Sequence, residues 1–325
     1  MKISIGPVLF EWGKAGVRDF YRRMAYETSA HVLYLGEVVC SKRHHLLPED
    51  LADLARELIP SGKEIIFSTL GLVMSDEEQQ ELHRCMALAQ ELGLKVEAND
   101  MAGIGVGEGH PLVAGPHVNV YNPETLAFLQ GVGVNRMVFP VELSSESMAG
   151  IMGHGRKNPV EFEVFAHGRL PLTFSARCYT ARAFRLSKAN CQYKCADFPD
   201  GMITRTQEGE GLLCMNGVQT MSEKVYTLIE ETNQLQEMGI NLVRLSPQSR
   251  HMTEIVALWQ ARLDGRLDAT ETMARLVELN DGEPFCNGYF HGLPGMRYHK
   301  NQNHGGRGTA PQTPHPFFLI FFKKK

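Results

Sequence analysis

Short apolar runs alternate along this chain with stretches whose apolar positions return at helical spacing. Runs over residues 3–10, 31–36, 64–70, 95–98, 112–119, 136–142, 161–166 and 242–246 predict strands. Between many of them lie amphipathic patterns, such as 48–59, announced by Pro48-Glu49-Asp50, and 76–92, where Ser75 has the chemistry of an N-cap. Strands that are apolar almost throughout, joined by helices, imply a parallel sheet covered on both faces. The repeat count fits an α/β fold of the TIM-like β/α-barrel type.

In such a barrel the working residues stand at the carboxyl ends of the strands. That places Cys40 after the second strand, Ser68 and Thr69 at the end of the third, and Glu97 and Asn99 at the end of the fourth. His117, Asn119 and Asn122 follow the fifth, Glu142 ends the sixth and His167 the seventh. Each has a plainer alternative, since a carboxylate at a strand end is commonly a cap or an ion-pair partner. Together they outline a polar mouth.

Composition narrows the classes. The 325 residues are 43% hydrophobic and 22% charged, with a formal net charge of −4, which gives ample core material and argues against a general nucleic-acid binder. The first residues contain Pro7 and Glu11 where a signal peptide would need an unbroken apolar segment, and no apolar run is long enough to span a bilayer. With seven cysteines and no export signal, the expected compartment is the cytoplasm.

Four cysteines carry the most specific chemistry. Cys178, Cys191 and Cys195 lie within eighteen residues, as Cys178-x12-Cys191-x3-Cys195, in a polar, basic stretch poorly suited to burial; Cys40 closes an apolar run far upstream. Cys85 sits in a helical pattern and reads as packing, and Cys214 and Cys286 are also read as structural. One tight pair and two isolated thiols do not match the paired knuckles of structural zinc, so the set favours an iron–sulfur cluster, with incidental thiols as the alternative. Lys42, Arg43, Arg177, Arg182, Arg185 and Lys194 lie near these cysteines and could offset the negative charge of a thiolate-bound cluster, unless they are simply solvated.

The segment from Glu163 through Phe165 and Gly168 to Ser175-Ala176-Arg177-Cys178 resembles the signature of the U32 peptidase family, Glu-x-Phe-x-x-Gly followed by Ser-x-x-Cys. Tyr34-Leu-Gly-Glu-Val-Val-Cys40-Ser-Lys-Arg, Cys191-x3-Cys195, Asn216-Gly-Val-Gln-Thr-Met-Ser222, Val243-Arg-Leu-Ser-Pro-Gln248 and Cys286-Asn-Gly-Tyr289 resemble, in order and spacing, a subfamily of oxygen-independent ubiquinone biosynthesis. The resemblance covers residues 1–296, taken as one β/α-barrel domain, and leaves 297–325 as a disordered or non-native tail. Pro171 stands where the general family pattern has a cysteine, and Ala176 where it has a glycine. Cys40 would then supply the missing ligand, so the resemblance implies a [4Fe–4S] cluster on Cys40, Cys178, Cys191 and Cys195.

The same resemblance implies ring hydroxylation without oxygen, as a heterodimer with a UbiU-like protein, assisted by a UbiT-like lipid carrier and acting on a ubiquinone precursor. Two other classes remain open. A peptidase, as the family's name suggests, would need an activated nucleophile; neither His-Glu-x-x-His nor Gly-x-Ser-x-Gly is present, which leaves Cys178 or Cys40 with His117 or His167. A metal-pinned interaction scaffold is the third. The end of the chain, with Phe317-Phe-Leu-Ile-Phe-Phe322 before three lysines, is given no function.

Overall fold

The computed structural model describes residues 1–43, 47–153 and 159–300. The tail beyond 300 therefore lies outside the described residues. Seven strand–helix units come first: β1 (Lys2–Ile5) and α1 (Gly13–Tyr26), β2 (Val32–Leu35) and α2 (Pro48–Leu58), β3 (Glu64–Ser68) and α3 (Asp76–Leu92), β4 (Lys95–Ala98) and α4 (Met101–Val106), β5 (Leu112–Ala114) and α5 (Pro123–Gly131), β6 (Val134–Val138) and α6 (Ser145–Gly153), then β7 (Glu161–Phe174) and the short α7 (Tyr179–Ala183). Three antiparallel strands follow, β8 (Met202–Arg205), β9 (Gly211–Asn216) and β10 (Gln219–Thr227). The chain closes with α8 (Thr232–Met238), β11 (Leu242–Leu245), α9 (Met252–Leu263), α10 (Ala269–Leu279) and β12 (Phe285–Cys286).

Strands β1 to β7 pair in order and in parallel, and β11 pairs in parallel with both β7 and β1. The result is a closed eight-strand parallel barrel wrapped by helices, the TIM-like architecture anticipated from the alternation. Outward strand residues such as Ile3, Ile5, Leu33, Leu35, Ile65 and Phe67 join the helix faces in one continuous core.

Inside the barrel, apolar residues share space with charge. Val32, Tyr34, Ile66, Val113, Val138 and Leu242 form an inner cluster. Below it Arg136, 1% exposed, reaches Glu161 at 2.6 Å and Glu64 at 2.8 Å. Above it Arg244 bonds Glu163 through Nε at 2.6 Å and pairs with Glu97 at 2.6 Å, while Ser4 and Tyr34 donate to Glu163 at 2.7 and 2.5 Å. Charges so enclosed persist because every one is paired; removing one partner strands the other.

Strand bounds differ from the sequence expectation where backbone chemistry intervenes. β1 ends at Ile5, two residues before Pro7, which lacks the donor a ladder needs. β5 ends at Ala114, and Pro116–Val118 turns as a 3₁₀ helix that leaves Asn119 left-handed at φ 60°. β7, by contrast, runs well past 166 to Phe174, because it changes partner midway. Through His167 it pairs in parallel with β11; from His167 to Phe174 it pairs antiparallel with β10. Gly168 sits at φ +121° with a hypothetical Cβ 2.6 Å from Ser246 Cβ, so only glycine fits this crossover. The extension β7–β10–β9–β8 carries the cysteine-rich loop over the carboxyl end of the barrel.

Candidate functional site

Two adjoining cavities lie at that end. The first is lined by all four singled-out cysteines, Cys40, Cys178, Cys191 and Cys195, together with Arg43, Lys188 and Gly217. All four thiols are free and intermediate in exposure. Residues 138 positions apart in sequence thus share one wall-to-wall space, because the loop after β2 and the loop after β7 both open at the barrel top.

Local backbone chemistry builds each wall. Glu37 accepts from the backbone N–H groups of Val39 (2.7 Å) and Cys40 (2.9 Å), which tightens the turn bearing Cys40. Cys178 caps α7, its sulfur accepting from the Ala181 N–H at 3.4 Å. Between Cys191 and Cys195 the residues Gln192 and Tyr193 are both left-handed, at φ 51° and 50°, and Lys194 N–H bonds the Cys191 carbonyl. That turn sets both thiols of the tight pair on the cavity. Lys42 ties the two loops together by donating to the carbonyls of Lys188 (2.9 Å) and Ala189 (3.2 Å).

Of the six cations noted in sequence, Arg43 is the buried one, 3% exposed. It donates to the Leu9 carbonyl at 2.6 Å and to Asn216 Oδ1 at 2.7 Å, with Glu11 and Glu37 each at 3.9 Å. Burial works against its charge, but Glu37 and the sulfurs of Cys195 and Cys40 more than compensate, so its pKa is raised. Gly217, at φ +67°, gives it room: a Cβ there would stand 3.1 Å from the guanidinium. Arg177, Arg182 and Arg185 are exposed, and Lys194 pairs with Asp197 at 3.1 Å. Sequence reasoning missed Asn216, Gly217 and Lys188; the motif Asn216-Gly217 was visible, but its meeting with Arg43 depends on the β9–β10 hairpin.

Burial raises the pKa of the Cys40 and Cys195 thiols, with the nearby cations acting in the opposite sense. Among the described residues no group of three or more His, Cys, Asp or Glu is set to hold a single metal ion. A polynuclear cluster spreads its thiolate ligands around a larger body, and a cavity with sulfur on its walls and a buried guanidinium beside it has the donor chemistry for one. The remaining cysteines are core. Cys85, Cys214 and Cys286 are buried, with burial pushing their thiols up to about 12, about 11 and about 12.

The second cavity is the barrel mouth itself, lined by Glu97, Asn99, His117, Arg244 and Ser246 among apolar residues that include Val38, Phe165 and Pro171. Three of the strand-end residues, Glu97, Asn99 and His117, therefore do meet. Ser68 and Thr69 stand behind them, bonded to Glu97 at 2.6 and 3.2 Å. The others have structural duties: Asn122 caps α5, Asn119 occupies a left-handed turn, and Glu142 accepts from Tyr121. His167 is fully buried beside Trp259, ring centroids 6.4 Å apart, and His117 packs edge-on against Phe174 at 4.7 Å. Burial pushes the fully buried His167 down to about 4, and desolvation with Arg244 nearby also lowers the half-buried His117. Neither hydrogen-bonds a thiol among the described residues.

A parallel barrel whose mouth is roofed by a cysteine-lined loop defines the structural class. The chain belongs to peptidase family U32, whose family model matches residues 21–300. It is 27% identical over 183 residues to the 23S rRNA 5-hydroxycytidine C2501 synthase of Escherichia coli K12; the match takes in 53% of this chain and 27% of that protein, about a quarter of the relative's length. Solved structures with similar folds include a putative dihydrodipicolinate synthetase from Pseudomonas aeruginosa (12% identity, TM-score 0.46, covering 86% of this chain and 83% of that one). A tryptophan synthase complex from Pyrococcus furiosus gives 12% identity and a TM-score of 0.40, covering 84% and 97%. No helix among the described residues is long and apolar enough to cross a membrane.

Proposed function

We propose that this chain is an iron–sulfur protein of oxygen-independent ubiquinone biosynthesis, similar to UbiV, in which Cys40, Cys178, Cys191 and Cys195 hold a [4Fe–4S] cluster. It would act with a UbiU-like partner, and with a UbiT-like carrier of the lipidic precursor, in ring hydroxylation. The observation that carries this reading is the convergence of four scattered thiols, and no others, on one cavity beside a buried arginine. Pro171 supports the narrower likeness: it faces the barrel mouth at the position where the general family pattern has a cysteine, and Cys40 lines the thiol cavity instead. The E. coli relative is named for forming 5-hydroxycytidine, a hydroxyl on an unsaturated ring, which is chemistry of the same kind.

A bound cluster would supply one-electron transfer. The chain's own residues do the rest. Arg43 sets a fixed positive charge against the thiolates and cannot lose it, because its carboxylate and carbonyl partners hold the proton count constant. Lys42 clamps the two ligand loops so that the sulfurs keep their spacing. The roof formed by the cysteine-rich loop limits water at the mouth, which protects any reactive species formed there.

The test is anaerobic complementation of a bacterium that has lost its UbiV. The wild-type chain and Cys85→Ala should restore ubiquinone made without oxygen, and Cys191→Ala should not. Restoration by Cys191→Ala would remove the cluster from the function.

A further inference from the structure

The loop that carries three of the four cysteines also presents charge of a single sign. No Asp or Glu occurs between Glu163 and Asp197, whereas Arg177, Arg182, Arg185, Lys188 and Lys194 all do. Arg177, Arg182 and Arg185 are exposed, and among the described residues their guanidinium groups have no hydrogen-bond or ion-pair partner. Outside this loop every described arginine but Arg297 meets a carboxylate, carbonyl or amide oxygen, as Arg22 meets Glu57, Arg205 the Gly209 carbonyl and Arg262 Asn233.

Aromatic rings stand among these charges. Tyr179, Phe184 and Tyr193 are 40%, 41% and 46% exposed. In α7, Thr180 and Ala181 are buried, which turns Tyr179 and Arg182, three positions apart, outward together. Arg185 follows in a left-handed turn, its N–H bonded to the Arg182 carbonyl at 2.9 Å. The Lys194 ammonium lies 5.6 Å from the centre of the Phe184 ring, which joins this turn to the one bearing Cys195. Cations and rings thus share one face, and Lys188, Tyr193 and Lys194 carry it to the edge of the thiol cavity.

We propose that this face docks on an anionic membrane surface, with the arginines on lipid phosphates and the three rings in the headgroup layer. Unpaired cations gain there from the negative surface potential, and exposed aromatic rings gain from the boundary between water and hydrocarbon. An acidic protein surface would use only the charges. A tract of nucleic acid is the weaker fit, because the chain as a whole carries a net charge of −4. The contact belongs to the outer surface of the loop and does not depend on what the thiols hold. Docked this way, the thiol cavity stands beside the lipid headgroups.

Co-sedimentation of the full-length protein with phosphatidylcholine vesicles, with and without phosphatidylglycerol, tests it. The anionic vesicles should retain the protein, the neutral ones should not, and added salt should release it. Arg182→Gln combined with Arg185→Gln should weaken binding about 25-fold, roughly fivefold for each cation lost. Equal retention by both vesicles, or retention by neither, would overturn the proposal. So would a double variant that binds like the parent, by placing the contact elsewhere on the chain. Tighter binding to single-stranded RNA than to anionic vesicles would make the face a nucleic-acid surface instead. The wild-type vesicle series decides the matter even if the variant folds poorly, and iron measured on the same preparation keeps this outcome separate from that of the cluster.

Discussion

Cys85 and Cys178 have the same side chain and opposite fates, and the difference was readable from their neighbours. Cys85 lies between apolar residues at helical spacing and ends in the core; Cys178 lies between exposed arginine and tyrosine and faces a cavity. Arg43 was harder to read. Six cations neighbour the cysteines in sequence, and nothing local marks Arg43 as the buried one, because its partners Leu9 and Asn216 come from 34 and 173 positions away. His167 is likewise a strand-end polar residue in sequence and a core residue in space. Its folded pKa near 4 lies below the unfolded value, so the unfolded chain binds the extra proton between those values. Stability from His167 is therefore fully present above about pH 6.5 and falls by about 1.4 kcal/mol per pH unit as the medium is acidified towards 4. Urea unfolding of His167→Gln from pH 7 to 4 should show a shallower acid loss by that amount; an unchanged slope would mean that His167 is protonated, or solvated, in the fold.

At the scale of elements, the strand–helix alternation was legible because the outward strand faces and the helix stripes are both apolar. The helix 76–92 matches its expected bounds, with Ser75 accepting from the Glu78 N–H at 3.3 Å as an N-cap. The antiparallel addition β8–β10 was not legible. Its strands show mixed burial and mix polar with apolar residues, so they lack the apolar runs that marked the barrel strands. The long β7 was also hidden, because a partner change leaves no trace in local pattern except Gly168. Gly168→Ala puts a Cβ against Ser246 at a left-handed position, and should lower stability by about 1–3 kcal/mol. Thermal unfolding would show it, whereas a variant as stable as the parent would mean that the crossover at Gly168 is not strained.

For the whole molecule, the barrel interior combines an apolar cluster with networks of paired charges. Glu97, Arg136, Glu163 and Arg244 look like interruptions in otherwise apolar strands, and the inward side of the pleat gathers them into networks. Glu163→Ala leaves Arg244 with half its partners, Tyr34 without an acceptor and Ser4 with only the Val243 carbonyl at 3.3 Å, and is expected to cost roughly 3–5 kcal/mol. Chemical denaturation would measure it, and a loss below about 1 kcal/mol would show that the network is not holding the barrel. The mouth was legible only in part: Glu97, Asn99 and His117 meet there, but Arg244 and Ser246 complete it from a strand whose closure onto β1 no local pattern reveals.

The same closure brings Cys40 to the three cysteines of the β7 loop, and on that convergence the proposed function rests. Iron and acid-labile sulfide, with a visible spectrum, should therefore be measured on protein purified without oxygen and co-expressed with a UbiU-like partner. About four of each per chain, with a broad band near 400 nm, is the expected result for a [4Fe–4S] thiolate centre. Zinc, or no metal at all in an anaerobic preparation, would contradict it.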